Sequence, residues 1–472
     1  MQASIKLRAL FLFFITLWSS PFYAATNTAP AKQYDVVIIG AGTAGLAAAQ
    51  TLYQQGVTNM LVIEARDRIG GRVWSTEVWG PATELGASWI RREDSNPLTA
   101  LAKNQNITLT PTSLGTFYPF NKFSSLVIYD DQGKKVDKDR IQATLKQVAE
   151  FYDELKSNKL TIKNDESLQD AVIIYTASKT MDSDQVKLFQ FILNEMIEND
   201  TGSELNETSY QTITALQSTV SGKDVMPSRA YIHVVSPLAK NIPIQLNETV
   251  KEVIYNNEGV EIKTSKGRYK ANYAISTLPL GVMQAKTVTF TPDLPAEKQK
   301  AIEQLGMNSF NKIYLLFDQV FWDKDAEWLT FMPEDDEPDD VYVALNYYKF
   351  TKQPILLFLT RGNFSKEVES WSDKETIDDI MDMLKQIYGN DIPRPSARII
   401  TRWGKDPFAN GSYSYPKLGS SIKSYEQLAS PVAGRLFFAG EATSSTDPGT
   451  VHGAYLSGVA AANEITEFIK NK

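Results

Sequence analysis

The stretch YDVVIIGAGTAGLAAAQTLYQQG, followed by NMLVIEA, limits this chain more than any other part of it. Val36 to Ile39 form a β-branched run suited to a buried parallel strand, and Thr43 to Gln55 read as a helix ended by Gly56. Between them Gly40, Gly42 and Gly45 are spaced G-x-G-x-x-G. Gly40 permits the tight turn, Gly42 lets backbone amides approach a pyrophosphate, and Gly45 lets helix and strand pack closely. The second strand ends in Glu64, about 20 residues after the last glycine, where a carboxylate can hydrogen-bond ribose hydroxyls. An isolated glycine triplet marks only a turn. Strand, glycines, helix, strand and terminal acid together specify a dinucleotide site, without separating NAD from FAD.

The rest of the composition narrows the chemistry. With 472 residues, 43% hydrophobic and 22% charged, there is apolar material for two or three domains. The net charge of −8, with no polycationic stripe, argues against nucleic acid as a partner. The chain has no cysteine, hence no disulfide, thiolate metal site or thiol nucleophile. Its two histidines, His233 and His452, are too few for a histidine-rich metal centre, so no metal is expected. The reaction falls to other side chains or to an organic cofactor. Residues 1–25, MQASIKLRALFLFFITLWSSPFYAA, place Lys6 and Arg8 before an apolar run and a small-residue end, the layout of a secretory signal peptide. This predicts an exported protein, periplasmic or secreted, with no integral membrane segment after cleavage.

Beyond Glu64, EARDRIGGRVWS adds a second glycine turn and Arg72, whose guanidinium can fork onto phosphate oxygens. An NAD domain has no need of this second clamp. With its R-x-G-G-R pattern the chain resembles the flavin-containing amine oxidases, traceably from Tyr34 to Asn463 and faintly over 114–227 and 320–395. The resemblance implies a mixed α/β fold. A Rossmann-like FAD-binding domain of the glutathione-reductase type would be assembled from residues 33–113, 228–300 and 396–472. A substrate domain, a mixed sheet flanked by helices, would come from 114–227 and 301–395. The FAD would be noncovalent, since a cysteinyl flavin is impossible here.

The resemblance also assigns residues. Ala44, Ala65, Arg66, Gly71, Gly86, Ala87 and Ser88 join the glycines, Glu64 and Arg72 as cofactor contacts, and Val250 offers backbone to the adenine. Glu441 reaches the ribityl and phosphate region, Trp403 packs against the flavin, and Thr450 and Val451 lie beside its ring. A helix starting near Thr450 would point its positive end at the reduced flavin. Lys312, in NKIYLLFDQVFW, is expected to hold a water near flavin N5, its pKa lowered by burial. Tyr415 would line the substrate side and Trp89 would wall the pocket. Thr450 stands where monoamine oxidases and plant polyamine oxidases have a second tyrosine, which leaves the aromatic cage open on one side. His452 reads as structural.

The implied reaction takes a polyamine-like or other primary or secondary amine, a small-molecule substrate, to an imine by hydride transfer to flavin N5, with O2 reoxidising the flavin to give hydrogen peroxide and water hydrolysing the imine. Two alternatives stay open: an L-amino-acid oxidase whose arginine captures the carboxylate, and a flavin-binding protein without turnover. The sequence ELGASWIRR keeps the substrate open as well. Arg91 stands where plant polyamine oxidases carry a glutamate and spermine oxidases a histidine gripping a distal nitrogen. It either turns outward to Glu93 or Asp94, or faces a substrate with a carboxylate or uncharged tail. Six acids between Glu334 and Asp340 form either a solvated loop or a collar for polycations.

Overall fold

A computed structural model of the chain describes residues 32–112, 125–157, 159–160, 162, 166–333 and 342–470. The strand Lys32–Ile39 lies inside a sheet covered on both faces. Val36 and Ile38 enter one apolar cluster with Leu46, Val62 and Ile275, while Val37 and Ile39 enter another with Leu61, Ile63 and Phe438. Burial on both sides explains why the run is β-branched without polar alternation. Among the described residues this sheet has eight strands. Lys32–Ile39 pairs in parallel with Met60–Ile63 on one side and with Arg268–Ser276 on the other. Arg268–Ser276 continues into an antiparallel ribbon with Val260–Thr264 and Val250–Tyr255, and its far end takes Leu436–Phe438 in parallel. One sheet thus joins stretches four hundred residues apart, and the helices Thr43–Gln54 and Val451–Lys470 pack together against it.

Among the described residues a second sheet has six strands, ordered Ala397–Ile400, Phe310–Leu316, Ile355–Arg361, Val343–Asn346, Trp328–Phe331 and Leu126–Tyr129. Side chains of Phe310–Leu316 alternate between its faces. Ile313 and Leu315 pack with Ile380 and Leu384 of the helix Asp373–Tyr388, whereas Tyr314 lies with Leu85, Trp89 and Trp328. Helices Lys138–Lys156, Leu168–Ser178 and Ser183–Thr201 form a third apolar cluster around Phe151, Tyr175 and Phe189.

The strand Ala397–Ile400 corrects one expected boundary. Placed by sequence with the nucleotide-binding pieces, it pairs antiparallel with Phe310–Leu316 in the second sheet. Residues 1–25 and the acidic run 334–340 lie outside the described residues. Among those described, no helix is long and apolar enough to cross a membrane, and no group of three or more His, Asp or Glu could hold a metal ion.

Candidate active site

One cavity of about 920 Å³ runs from the glycine turn of the first sheet to the face of the second. At its nucleotide end the helix Thr43–Gln54 begins at Gly42 with no side-chain cap, so its first amides are left for a ligand. A Cβ on Gly42 would meet nothing nearer than Gly71 Cα at 3.9 Å, so the space above it belongs to the cavity. Gly45 differs: a Cβ there would lie 2.0 Å from the Gly40 carbonyl oxygen. It fixes helix against strand and does not line the cavity. The Glu64 carboxylate accepts from the Ala41 and Arg66 amides at 2.7 and 2.8 Å, which orients it at the cavity wall beside Ala44 and Ala65. Arg66 is held by Asp406 through two 2.8 Å bonds. Val250, beyond Glu64, is also a wall residue.

Glu441 closes the cradle from the far end of the chain. Its carboxylate accepts from Arg72 Nη1 at 2.8 Å, Ser414 Oγ at 2.6 Å and the Gly449 amide at 2.9 Å. Thr450 Oγ1 accepts from the Gly453 amide at 2.9 Å, capping the helix Val451–Lys470 whose start faces the cavity with Val451 and Gly71. His452 is buried, with Nε2 3.2 Å from Asp447 Oδ1. An uncapped helix start, an open glycine, an oriented ribose acid and a second helix start fit a dinucleotide with a ring system at its end.

At the ring end, Trp403 donates Nε1–H to the Leu85 carbonyl at 2.9 Å and stands edge-on to Trp74. Gly86, Ala87 and Ser88 pass beside it along the cavity. Lys312 enters from the second sheet. Its Nζ donates to the Glu84 carbonyl at 2.9 Å and also to the Gly86 carbonyl and Ser88 Oγ, and lies 5.7 Å from the centre of the Trp89 ring. Burial brings its pKa down to about 7, against the opposing charge of Glu84. Burial likewise raises the Glu84 carboxyl to about 7, opposed by hydrogen bonds from Ser75 and the Tyr231 amide. Trp89 is a cavity wall, and its indole N–H is buried with no protein partner.

One expectation changes here, and one of two open alternatives drops out. Tyr415 does not line the cavity: its ring lies over Gly306, where a Cβ would come within 2.2 Å, and its hydroxyl donates to Glu207 at 2.9 Å. The wall aromatic is Tyr413, packed 5.8 Å from Phe310. Arg91 does not turn outward to Glu93 or Asp94. It lines the cavity, with Nη1 2.5 Å from Asp200 and 3.1 Å from Asp224. Burial alone would lower its pKa, but the two carboxylates raise it, so it stays charged. Burial raises Asp224 to about 6, opposed chiefly by Arg91.

Sequence reasoning missed Glu84, Asn199, Asp200, Tyr413 and Asp224. One signal for Asp200 was available. It sits in the last turn of Ser183–Thr201, where a carboxylate faces the negative helix end and no basic residue offsets it. An acid so placed needs a partner from elsewhere.

Comparison with known proteins agrees with this geometry. The family described as flavin containing amine oxidoreductase matches residues 43–466. The chain is 31% identical over 471 residues to lysine-specific histone demethylase 1 homolog 2 of Arabidopsis thaliana, covering 97% of this chain and 61% of that protein. It is 32% identical over 439 residues to polyamine oxidase 4 of Oryza sativa subsp. japonica, covering 91% and 88%. In fold it is similar to wild-type putrescine oxidase bound to putrescine, with a TM-score of 0.72 at 19% identity, covering 93% of this chain and 100% of that one. The chain thus spans about three-fifths of the demethylase homolog and most of the polyamine oxidase. It belongs to the flavin-containing amine oxidoreductases, a family whose description names a flavin as the cofactor.

Proposed function

We propose that this protein oxidises a cationic, polyamine-type amine to an imine, with O2 as electron acceptor and hydrogen peroxide as co-product. Lys312 carries this reading: a lysine brought near neutrality by burial, on the wall shared by the nucleotide cradle and Trp89. Bound FAD supplies the hydride acceptor at N5. Trp89 and Tyr413 offer aromatic surface that favours an uncharged amine at the reacting carbon over a hydrated cation. Thr450, small and engaged in capping its helix, leaves room on that side for a long substrate. The Lys312 ammonium gives its three N–H donors to the Glu84 and Gly86 carbonyls and Ser88 Oγ; it can release a proton near pH 7, and the neutral amine then has a lone pair to accept from a water.

The amino-acid oxidase reading requires a free arginine for the substrate carboxylate. Arg91 already faces two carboxylates, which leaves Arg92 of the same wall as the arginine available for that role. Anaerobic titration of the yellow holoprotein with spermine, spermidine, putrescine, tyramine and L-amino acids tests the proposal. Bleaching by amines is expected, and Lys312→Met should slow it roughly a hundredfold or more. A colourless protein, or preference for an amino acid over its decarboxylated amine, would sink it. Export remains part of the proposal, resting on residues 1–25; an uncleaved N-terminus in a cytoplasmic fraction would contradict it.

A further inference from the structure

The Arg91 cluster lies within the cavity and has no part in the chemistry at Lys312. Its two acids are not equivalent. Asp224 is almost wholly buried, takes the Arg92 amide at 2.8 Å, and lies 3.1 Å from Arg91 Nη1. Asp200 has 30% of its side chain exposed and meets the same nitrogen. It also stands at the negative end of the 19-residue helix Ser183–Thr201. The Asn199 carbonyl at that end accepts from Arg91 Nη2 at 3.3 Å. Next to it, Asn199 Oδ1 is buried without a hydrogen-bond partner, on a residue that lines the same cavity. Arg92 adds a second positive charge from farther away, with no carboxylate within ion-pair distance among the described residues. Two carboxylates and a helix-end carbonyl therefore converge on one guanidinium, and an unsatisfied amide oxygen belongs to a residue of the same cavity wall.

We propose that Arg91 is a built-in stand-in for a substrate ammonium: a distal cationic nitrogen of the amine takes its place on Asp200 and Asn199 Oδ1, while Arg91 stays on Asp224. The inference rests on the amine oxidase reading above and deepens it. The exchange is close to neutral because one cation replaces another on a carboxylate that is already partly desolvated. It gives affinity only to substrates with a second charge, because a monoamine has nothing to offer Asp200. Arg91 is thus a competitor that raises KM for polycations, the opposite of what an arginine gripping substrate would do.

Opposite signs make the test sharp. In the holoenzyme, KM is measured for tyramine, putrescine and spermidine, and spermidine binding is followed anaerobically by calorimetry. Asp200→Asn should weaken spermidine about tenfold, and Arg91→Gln should tighten it by a similar factor. Both effects should grow with the number of ammonium groups, from tyramine to spermidine. Arg91→Gln leaves Asp224 buried without its cation and can misfold. The double variant Arg91→Gln with Asp224→Asn removes that liability and should still bind spermidine more tightly than the parent. Weaker spermidine binding in the Arg91 variants, or equal shifts for all three amines, would overturn the stand-in role while leaving amine oxidation intact. A parent enzyme that neither binds nor oxidises any of the three would overturn both.

Discussion

Glu84 and Lys312 set a pH dependence that can be worked out residue by residue. Lys312, held at about 7, loses its proton as pH rises through neutrality, and the nearby Glu84 charge works against that loss. Glu84→Gln removes the charge, so the lysine should titrate lower still. If neutral Lys312 is the working form, kcat at saturating amine should fall on the acid side of about pH 7 in the parent, and the limb should move to lower pH in Glu84→Gln. A limb that stays in place, or moves upward, would show that Glu84 does not tune the lysine. This pair was only half legible in the sequence. Lys312 stood out in its motif, but Glu84 meets it across 228 positions, through a fold that no local pattern encodes. Tyr413 and Tyr415 failed for a different reason. Tyr415 lies in the strand Ser414–Tyr415 and Tyr413 just before it; residues two apart share a face in a regular strand, so alternation cannot choose which ring meets the cavity.

The strand Phe310–Leu316 works on both of its faces. Lys312 looks into the cavity, and its neighbour Asn311 looks away into a buried polar network. Asn311 Nδ2 donates to Glu369, Ser309 and Ser365, while its Oδ1 accepts from the Trp403 amide at 2.8 Å and Thr401 Oγ1 at 3.0 Å. Thr401 Oγ1 accepts in turn from the Lys312 amide at 2.8 Å. One carboxamide therefore ties together the backbone that carries the lysine and the backbone that carries Trp403. Asn311→Ala strands several buried donors and acceptors and should cost about 3 kcal/mol in urea unfolding. Asn311→Asp should cost more, because a second carboxylate would then meet Glu369. Equal stability in both variants would remove the network from the account. The sequence showed the Asn-Lys pair; its logic appears only with the helix Gly362–Ser370 in place.

At the scale of the molecule, the cofactor cradle draws on Gly42, Glu64, Arg72, Val250, Glu441 and Thr450, spread along nearly the whole chain. A ligand that binds only when all of these are assembled should stabilise the whole fold, by about 2.7 kcal/mol at a hundredfold excess over its Kd. Two glycine variants separate fold from cradle. Gly42→Ala, with ordinary φ and an open Cβ site, should keep the melting temperature of the apoprotein but lose the rise on adding FAD. Gly45→Ala should lower the apoprotein's melting temperature itself. The reverse pattern would refute the division of labour read from the motif. That division was legible because each glycine answers to backbone within a few residues of it. The Arg91 cluster was not, because it forms only when residues more than a hundred positions apart are brought together.

The far-end closure of the cradle has a consequence for how the protein matures. Glu441 and the helix that starts at Val451 complete a site begun at Gly40, and Leu436–Phe438 pairs in the sheet with Arg268–Ser276. A chain still leaving the ribosome can fold its first βαβ unit but has no finished place for the flavin. Loading must wait until the last helix is made. Wherever that helix first folds is where free FAD has to be found.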